Sequence, residues 1–297
     1  MHLKIKVITD TSADLPLDVI RDNKIEIISQ IVSFEDKALR LGKDISFDEY
    51  YEILERLEKI PTTAAPDPAS FYKVFENFIQ KQKYDFVFCV TVSKELSGTY
   101  ASAAIAARKI GDKVVLVNSD SASGVEGLIA LNIVELANKG CSINEIKDTI
   151  THMKKDSLLC AGFHTFDNIY KSGRLKSKFI LKTTNFLRIK PILVLEEKKV
   201  LQPKFPGLFS ENQMLNRMLK ASLKRVNKNL IFDMVISHVA NPRGASKLRD
   251  KIKNRLKIRN EYFTIATPLV GTHTGKKTVI LSLVPVFEPI KSNYDDD

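Results

Sequence analysis

Apolar and polar positions follow two rhythms along this chain. Lys4 to Ile8 and Phe86 to Val92 are short runs rich in β-branched and aromatic residues, and each stops at a polar loop, as buried strands do. Elsewhere the spacing is helical. Phe47, Tyr50, Tyr51, Leu54 and Leu57 share one stripe, and Phe71, Val74, Phe75 and Phe78 share another, the pattern of core-facing helix sides. Ser46…Glu49, Ser142…Glu145 and Ser210…Gln213 are capping boxes that open helices. Asp67-Pro68 fits an N-cap and first turn. Pro61 and Pro66 bracket Thr62 to Ala65, so that stretch should be a stiff extended loop displaying Thr62 and Thr63.

Strand and helix alternate as far as Gly140, which predicts a parallel sheet covered by helices. After that the order changes. Leu158 to Phe163, Leu230 to His238, Phe263 to Leu269 and Thr278 to Phe287 read as strands. His164 to Ser172, Ser210 to Asn227 and Ala245 to Arg255 read as helices, and the charged turn Glu196 to Lys199 signals a hairpin. The fold class expected is α/β with two domains: residues 1–155 around a parallel sheet and residues 156–290 around a mixed sheet. Residues 291–297 read as a disordered tail. Between the last two strands, Val270 to Gly275 reads as a tight polar turn.

Length and composition narrow the class. At 297 residues the chain can bury a large core. Charged residues interrupt every apolar run, so no membrane span is predicted. The N-terminus enters a strand pattern with no signal-peptide apolar region, which points to the cytoplasm. Cys89, Cys141 and Cys160 lack metal-ligand spacing and read as reduced thiols, with Cys89 and Cys160 in the core. No metal or cofactor is expected. The net charge of +11 favours acidic partners, and transient contact with a membrane surface is compatible with it. The lysines are scattered, however. The densest cluster, Lys247 to Arg259, repeats Leu248, Ile252 and Leu256 at helical spacing and reads as an amphipathic helix with a basic solvent face. No helix-turn-helix, finger or aromatic RNA platform is present, so no specific nucleic acid is expected.

Three polar loops follow strands. Thr9 to Pro16 holds Asp10, read equally as a ligand or a helix cap, and Asp14, read as a cap. Val92 to Ser102 is a strand, a polar turn with Ser93, Ser97, Gly98 and Thr99, and a helix start. The unpaired N–H groups and positive dipole end there suit an anion, a phosphate or a carboxylate. Asn118 to Gly124 is the third loop. All three should gather at one edge of the sheet, where open α/β sheets bind ligands. Of the five histidines, His273 has the most site-like setting. Ser97 and His273 with Asp10 or Asp120 could also be a hydrolase triad. A nucleophile elbow needs glycine two residues before and after the serine, and Glu95 and Thr99 stand there. A basic nucleic-acid-binding protein is the other rival.

Taken together, the turns resemble the DegV family. The matching segments are Thr9 to Pro16, Thr63-Ala-Ala-Pro66, Leu96 to Ala103, Asn118 to Gly124, Ser172-Gly-Arg-Leu175, Ile189 to Leu193 and Gly271 to Gly275. The resemblance implies a two-domain fold enclosing a long-chain fatty acid. It implies a lipid carrier, not an enzyme by itself, which presents the carboxylate to a separate ATP-dependent fatty acid kinase for conversion to an acyl phosphate used in phospholipid synthesis. By the same resemblance Ser97, the N–H of Gly98, Thr63 and His273 should bind the carboxylate, and Arg174 should face the kinase. The chain departs from the family's pattern at Ala64-Ala65, where Ser-Gln is usual, and at Lys276-Lys277, where Pro-Gly is usual. A second partner-facing arginine is missing between Arg188 and Arg217, and Lys204 is an imperfect substitute.

Overall fold

The structure, a computed structural model, describes residues 3–57, 59–174, 190–195, 201–204 and 210–290. The hairpin turn 196–199, Leu175, Ile189 and the tail 291–297 lie outside the described residues. The strands are β1 (Ile5–Asp10), β2 (Glu26–Ile28), β3 (Ile31–Phe34), β4 (Lys37–Arg40), β5 (Thr62–Ala64), β6 (Phe86–Thr91), β7 (Val114–Asn118), β8 (Leu158–Gly162), β9 (Ile192–Leu195), β10 (Leu201–Lys204), β11 (Ile231–His238), β12 (Lys257–Ile265) and β13 (Val279–Pro285). The helices are α1 (Leu17–Asp22), α2 (Phe47–Arg56), α3 (Pro68–Glu76), α4 (Thr99–Ile110), α5 (Ser123–Asn138), α6 (Ile143–Lys155), α7 (Asp167–Lys171), α8 (Glu211–Arg225), α9 (Pro242–Lys253) and α10 (Pro268–Thr274).

Strands β2-β1-β6-β7 form an all-parallel sheet. Strands β10-β9-β8-β13-β11-β12 form a mixed sheet, parallel at β11–β12 and antiparallel elsewhere. This is the α/β architecture expected. Helix α5 lies between the two sheets. Its buried Val125, Leu128, Ile129 and Ile133 share one core with Val7, Phe88 and Val90 of the parallel sheet and with Val235, Ile280 and Val284 of the mixed one. A helix apolar on every side is what such a sandwiched position demands.

The capping boxes at Ser46, Ser142 and Ser210 all form, and Asp67 caps α3 with Pro68 in its first turn. Other expectations need correction. The apolar stretch Ile25 to Phe34, strand-like along its length, forms two strands, β2 and β3, in different sheets. Thr62 and Thr63 are not on a loop: β5 pairs antiparallel with β3 in a third, small sheet, β4-β3-β5. Extended backbone between prolines was the right local state, and pairing supplied the partner. The basic helix ends at Lys253. Lys257 and Arg259 belong to β12, where Arg259 bonds Asp233 and Glu135. Leu269 is not in a strand, and residues 270–275 are not a bare turn. They belong to α10, closed by Gly275 at φ 79°. Cys141 is buried along with Cys89 and Cys160.

Candidate functional site

Strands β1, β6 and β7 end side by side, and their loops are tied together. Val92 N donates to Asp10 Oδ2 (3.2 Å), Ser93 N to Ser121 O (2.7 Å) and Ser119 N to Thr91 O (3.0 Å). The loops therefore gather at one sheet edge, as their positions in the chain predict. Beside them opens a cavity enclosing ≈ 760 Å³ of empty space, solvent at its mouth included. Leu159, Ala161 and Ile280 of the mixed sheet, Phe163 just beyond β8, and Leu269 and Val270 of α10 give it an apolar wall. Ser12, Gln30, Ser97, Ser123, Arg174 and His273 are among its polar groups. An amphiphile with a long apolar tail and a small polar head matches that lining.

Ser97 borders the cavity at the head of α4. Its Oγ lies 2.8 Å from Thr99 Oγ1 and accepts from Thr99 N (3.3 Å). Gly98, exposed at the N-cap of α4, has no side-chain cap bond, and Ala65 Cβ is the nearest atom to where its own Cβ would stand, at 3.9 Å. Alanine at position 65 keeps that approach open.

His273 is held from four sides through α10. Tyr50 Oη pairs with Thr272 Oγ1 (2.6 Å), and Tyr51 Oη donates to Ala266 O (2.7 Å). Asn168 Nδ2 donates to Thr272 O (3.0 Å), and Thr267 N donates to Asp14 Oδ1 (2.7 Å). Thr63 Oγ1 lies 3.1 Å from His273 Nε2, so Thr63 stands behind the ring and does not itself border the cavity. His273 Nδ1 is buried with no hydrogen-bond partner among the described residues. Burial, then the nearby Arg174 charge, pull its pKa down to about 3, so the imidazole is neutral at physiological pH. Arg174 is half-buried in the cavity wall. Its Nη1 donates to Ser172 O (2.6 Å) and its Nε to Leu96 O (3.4 Å).

The structure thus brings Thr63, Ser97, Gly98, His273 and Arg174 into one neighbourhood from four separate parts of the chain. It does not assemble a hydrolase triad. Among the described residues no hydrogen bond joins Ser97 to His273. Asp120 is bonded to Asn118 and paired with Lys154 (2.7 Å), and Asp10 serves Ser12, Gln30 and Val92. Neither Asp10 nor Asp14 caps α1, whose N-cap is Pro16 with no side-chain bond. Both are wholly buried network centres.

Ser12, Gln30 and Ser123 were not singled out from sequence. Ser12 and Ser123 lie in loops that were. Gln30 sits between two strands with nothing local to mark it. Glu126, fully buried, was also missed, although one carboxyl in the apolar run of α5 is a visible anomaly.

The profile described as "Uncharacterised protein, DegV family" matches residues 4–286. A DegV domain-containing protein of Listeria innocua is 27% identical over 280 residues, 93% of this chain and 96% of that protein. A Thermotoga maritima fatty acid-binding protein is 25% identical over 283 residues, 93% and 96% of the two chains. The solved structure of a fatty-acid-binding DegV family protein from Thermus thermophilus superposes with a TM-score of 0.87 at 21% identity, covering 96% of this chain and 100% of the other. No described helix is long and apolar enough to cross a membrane.

Proposed function

The chain belongs to the DegV family, and from that premise we propose that it binds a long-chain fatty acid and presents the carboxylate to a separate ATP-dependent kinase. The observation that carries the reading is the cavity itself: an apolar wall with Ser97, Arg174 and His273, whose Nδ1 has no partner among the described residues, among its polar groups. The tail lies against Leu159, Ala161, Phe163, Leu269 and Ile280, and burial of its methylenes drives binding at about 0.8 kcal/mol per CH₂. The carboxylate accepts from Ser97 Oγ–H and from Gly98 N–H, where the positive end of α4 favours an anion.

His273 contributes through Nδ1. With Thr63 Oγ–H donating to Nε2, the ring proton sits on Nδ1 and is offered to the carboxylate. A neutral imidazole avoids forming a permanent ion pair that would hold the acid too tightly for transfer. Arg174 adds positive charge to the head-group end, and its half-exposed position also suits a partner surface. The exposed Gly98 marks an end of the site that a second protein can reach. In the transfer, a carboxylate oxygen attacks the γ-phosphorus of ATP on the kinase, ADP leaves, and the acyl phosphate remains on this chain. The chain contributes positioning and holds no nucleotide.

Mass spectrometry of gently purified protein should find a fatty acid bound. A protein that is empty and takes up no added fatty acid refutes the binding. If loaded protein, ATP and a fatty acid kinase catalytic protein yield no acyl phosphate, the binding stands and the presentation fails.

A further inference from the structure

The hydroxyl of Ser97 has a direction, and a buried network sets it. Asp10 Oδ1 accepts from Ser12 N (2.8 Å), Ser12 Oγ and Gln30 Nε2 (2.8 Å), and Asp10 Oδ2 from Val92 N (3.2 Å). Burial raises the Asp10 pKa, and the four donors around the carboxyl pull the other way, toward its ionised form. Glu126 meets fewer donors, Thr9 Oγ1 (2.9 Å) and Ser12 Oγ (2.7 Å), and it faces the Asp10 carboxyl. Ser12 Oγ touches both carboxyls but has one proton, so one of the two acids must donate to it. Glu126 is the acid that keeps its proton, held well above the carboxylate range by burial and by Asp10.

From ionised Asp10 the donor directions follow one by one. The Gln30 amide must turn its NH₂ toward Asp10. Its second N–H then points to Thr99 Oγ1, 3.4 Å away. Thr99 Oγ1, accepting there, is left with one proton to give, and the hydroxyl within reach is Ser97 Oγ at 2.8 Å. Ser97 Oγ then accepts from both the hydroxyl and the N–H of Thr99. A hydroxyl oxygen has two acceptor positions, so both are filled. The remaining proton of Ser97 can only be donated outward, into the cavity.

We propose that Thr99 and Gln30 are positioning residues which, from Asp10, lock Ser97 as an obligate donor, and that this polarity selects an anionic head group over a neutral one on the same tail. The proposal rests on the reading that the head group meets Ser97. A carboxylate accepts that bond with charge assistance. A long-chain alcohol gains less from a donor already committed, since its own hydroxyl proton finds no acceptor at Ser97. Thr99 is wholly buried, so it reaches the ligand only through Ser97.

The test compares oleic acid with oleyl alcohol on the full chain. Wild type should prefer the acid. Thr99→Val keeps the shape but removes the hydroxyl, and the acid-over-alcohol ratio should fall about tenfold, with alcohol affinity kept. Thr99→Ser should restore the ratio. In a Ser97→Ala background, Thr99→Val should change the ratio no further, because the two act as one unit. An unchanged ratio in Thr99→Val, or an equal loss for acid and alcohol, overturns the positioning role while leaving fatty acid binding intact. A wild type that binds neither ligand overturns the functional reading, and the inference with it.

Discussion

Ser97 and Glu126 show how differently two polar residues of one network behave. In the proposed site Ser97 meets the ligand. Replacing it by alanine should weaken fatty acid binding by about 1–3 kcal/mol through loss of one charge-assisted hydrogen bond. Isothermal titration with the same acid checks this, and unchanged affinity refutes the role. Glu126 is buried outside the cavity lining, and its proton is what distinguishes it. Its folded-state pKa is raised by burial, then by Asp10. Above its ordinary value the folded state therefore holds a proton that the unfolded chain has lost, and stability falls as pH rises toward the folded pKa. Glu126→Gln removes that titration. Relative to the variant, wild type should lose about 1.4 kcal/mol per pH unit above about pH 4.5 until the carboxyl ionises. Urea denaturation of both proteins at several pH values reads the difference, and parallel stability curves would show that Glu126 is ionised in the fold. The sequence made Ser97 visible because its type and its place at a helix start agree. It could not reveal Glu126's protonation, which depends on residues more than a hundred positions away.

Among the elements, α5 carries the most consequence. Its first turns approach the mixed sheet closely. A methyl group at Gly124 would meet Val235 Cβ, and Ser282 Cβ at 2.9 Å. Both obstacles sit on strands and cannot swing aside. Gly124→Ala should therefore cost about 1–3 kcal/mol by overpacking, seen as a lower urea midpoint. A neutral substitution would mean that α5 shifts freely on the sheet. The entry to the helix is itself unusual: Ser123 has φ 55°, and its Oγ donates to Asp14. Helix α10 is the element the sequence hid. Gly271 and Gly275 around Thr-His-Thr resemble a loop locally. Tyr50, Tyr51 and Asn168 fix that stretch as a helix, and Gly271 is required because a side chain there would strike the Tyr51 hydroxyl.

Across the whole molecule, Asp14 joins what the chain order separates. It lies in the first loop and accepts from Ser123 of α5 (2.5 Å), Ser237 of β11 (2.8 Å) and Thr267 N at the head of α10. Asp14→Ala leaves three buried donors without their acceptor. The loss should be about 2–4 kcal/mol of stability. Fatty acid affinity should also fall, since α10 carries His273. Denaturation midpoint and affinity measured together test this. Unchanged stability would mean that the two sheets hold together without Asp14. Arg259 makes a second tie, from β12 to Asp233 of β11 and Glu135 of α5, at 3.0 and 2.9 Å.

Local physics accounts for what could be read from the residues alone. The apolar period of two or near four, the capping boxes and the proline positions determine the α/β class, the helix starts and the polar turn at Ser97, because each depends on neighbours within one or two turns of chain. Only the tertiary structure decided the rest. It paired Thr62–Ala64 with β3, wound residues 268–274 into a helix, and set Gln30 and Glu126 behind Ser97. Those outcomes depend on contacts between distant segments, and on the loss of water that makes a buried carboxyl keep its proton and a buried hydroxyl choose a direction. The turn at Ser97 could be read as a candidate anion site, but the direction proposed for its hydroxyl could not, because Asp10, Gln30 and Thr99 meet there only in the fold.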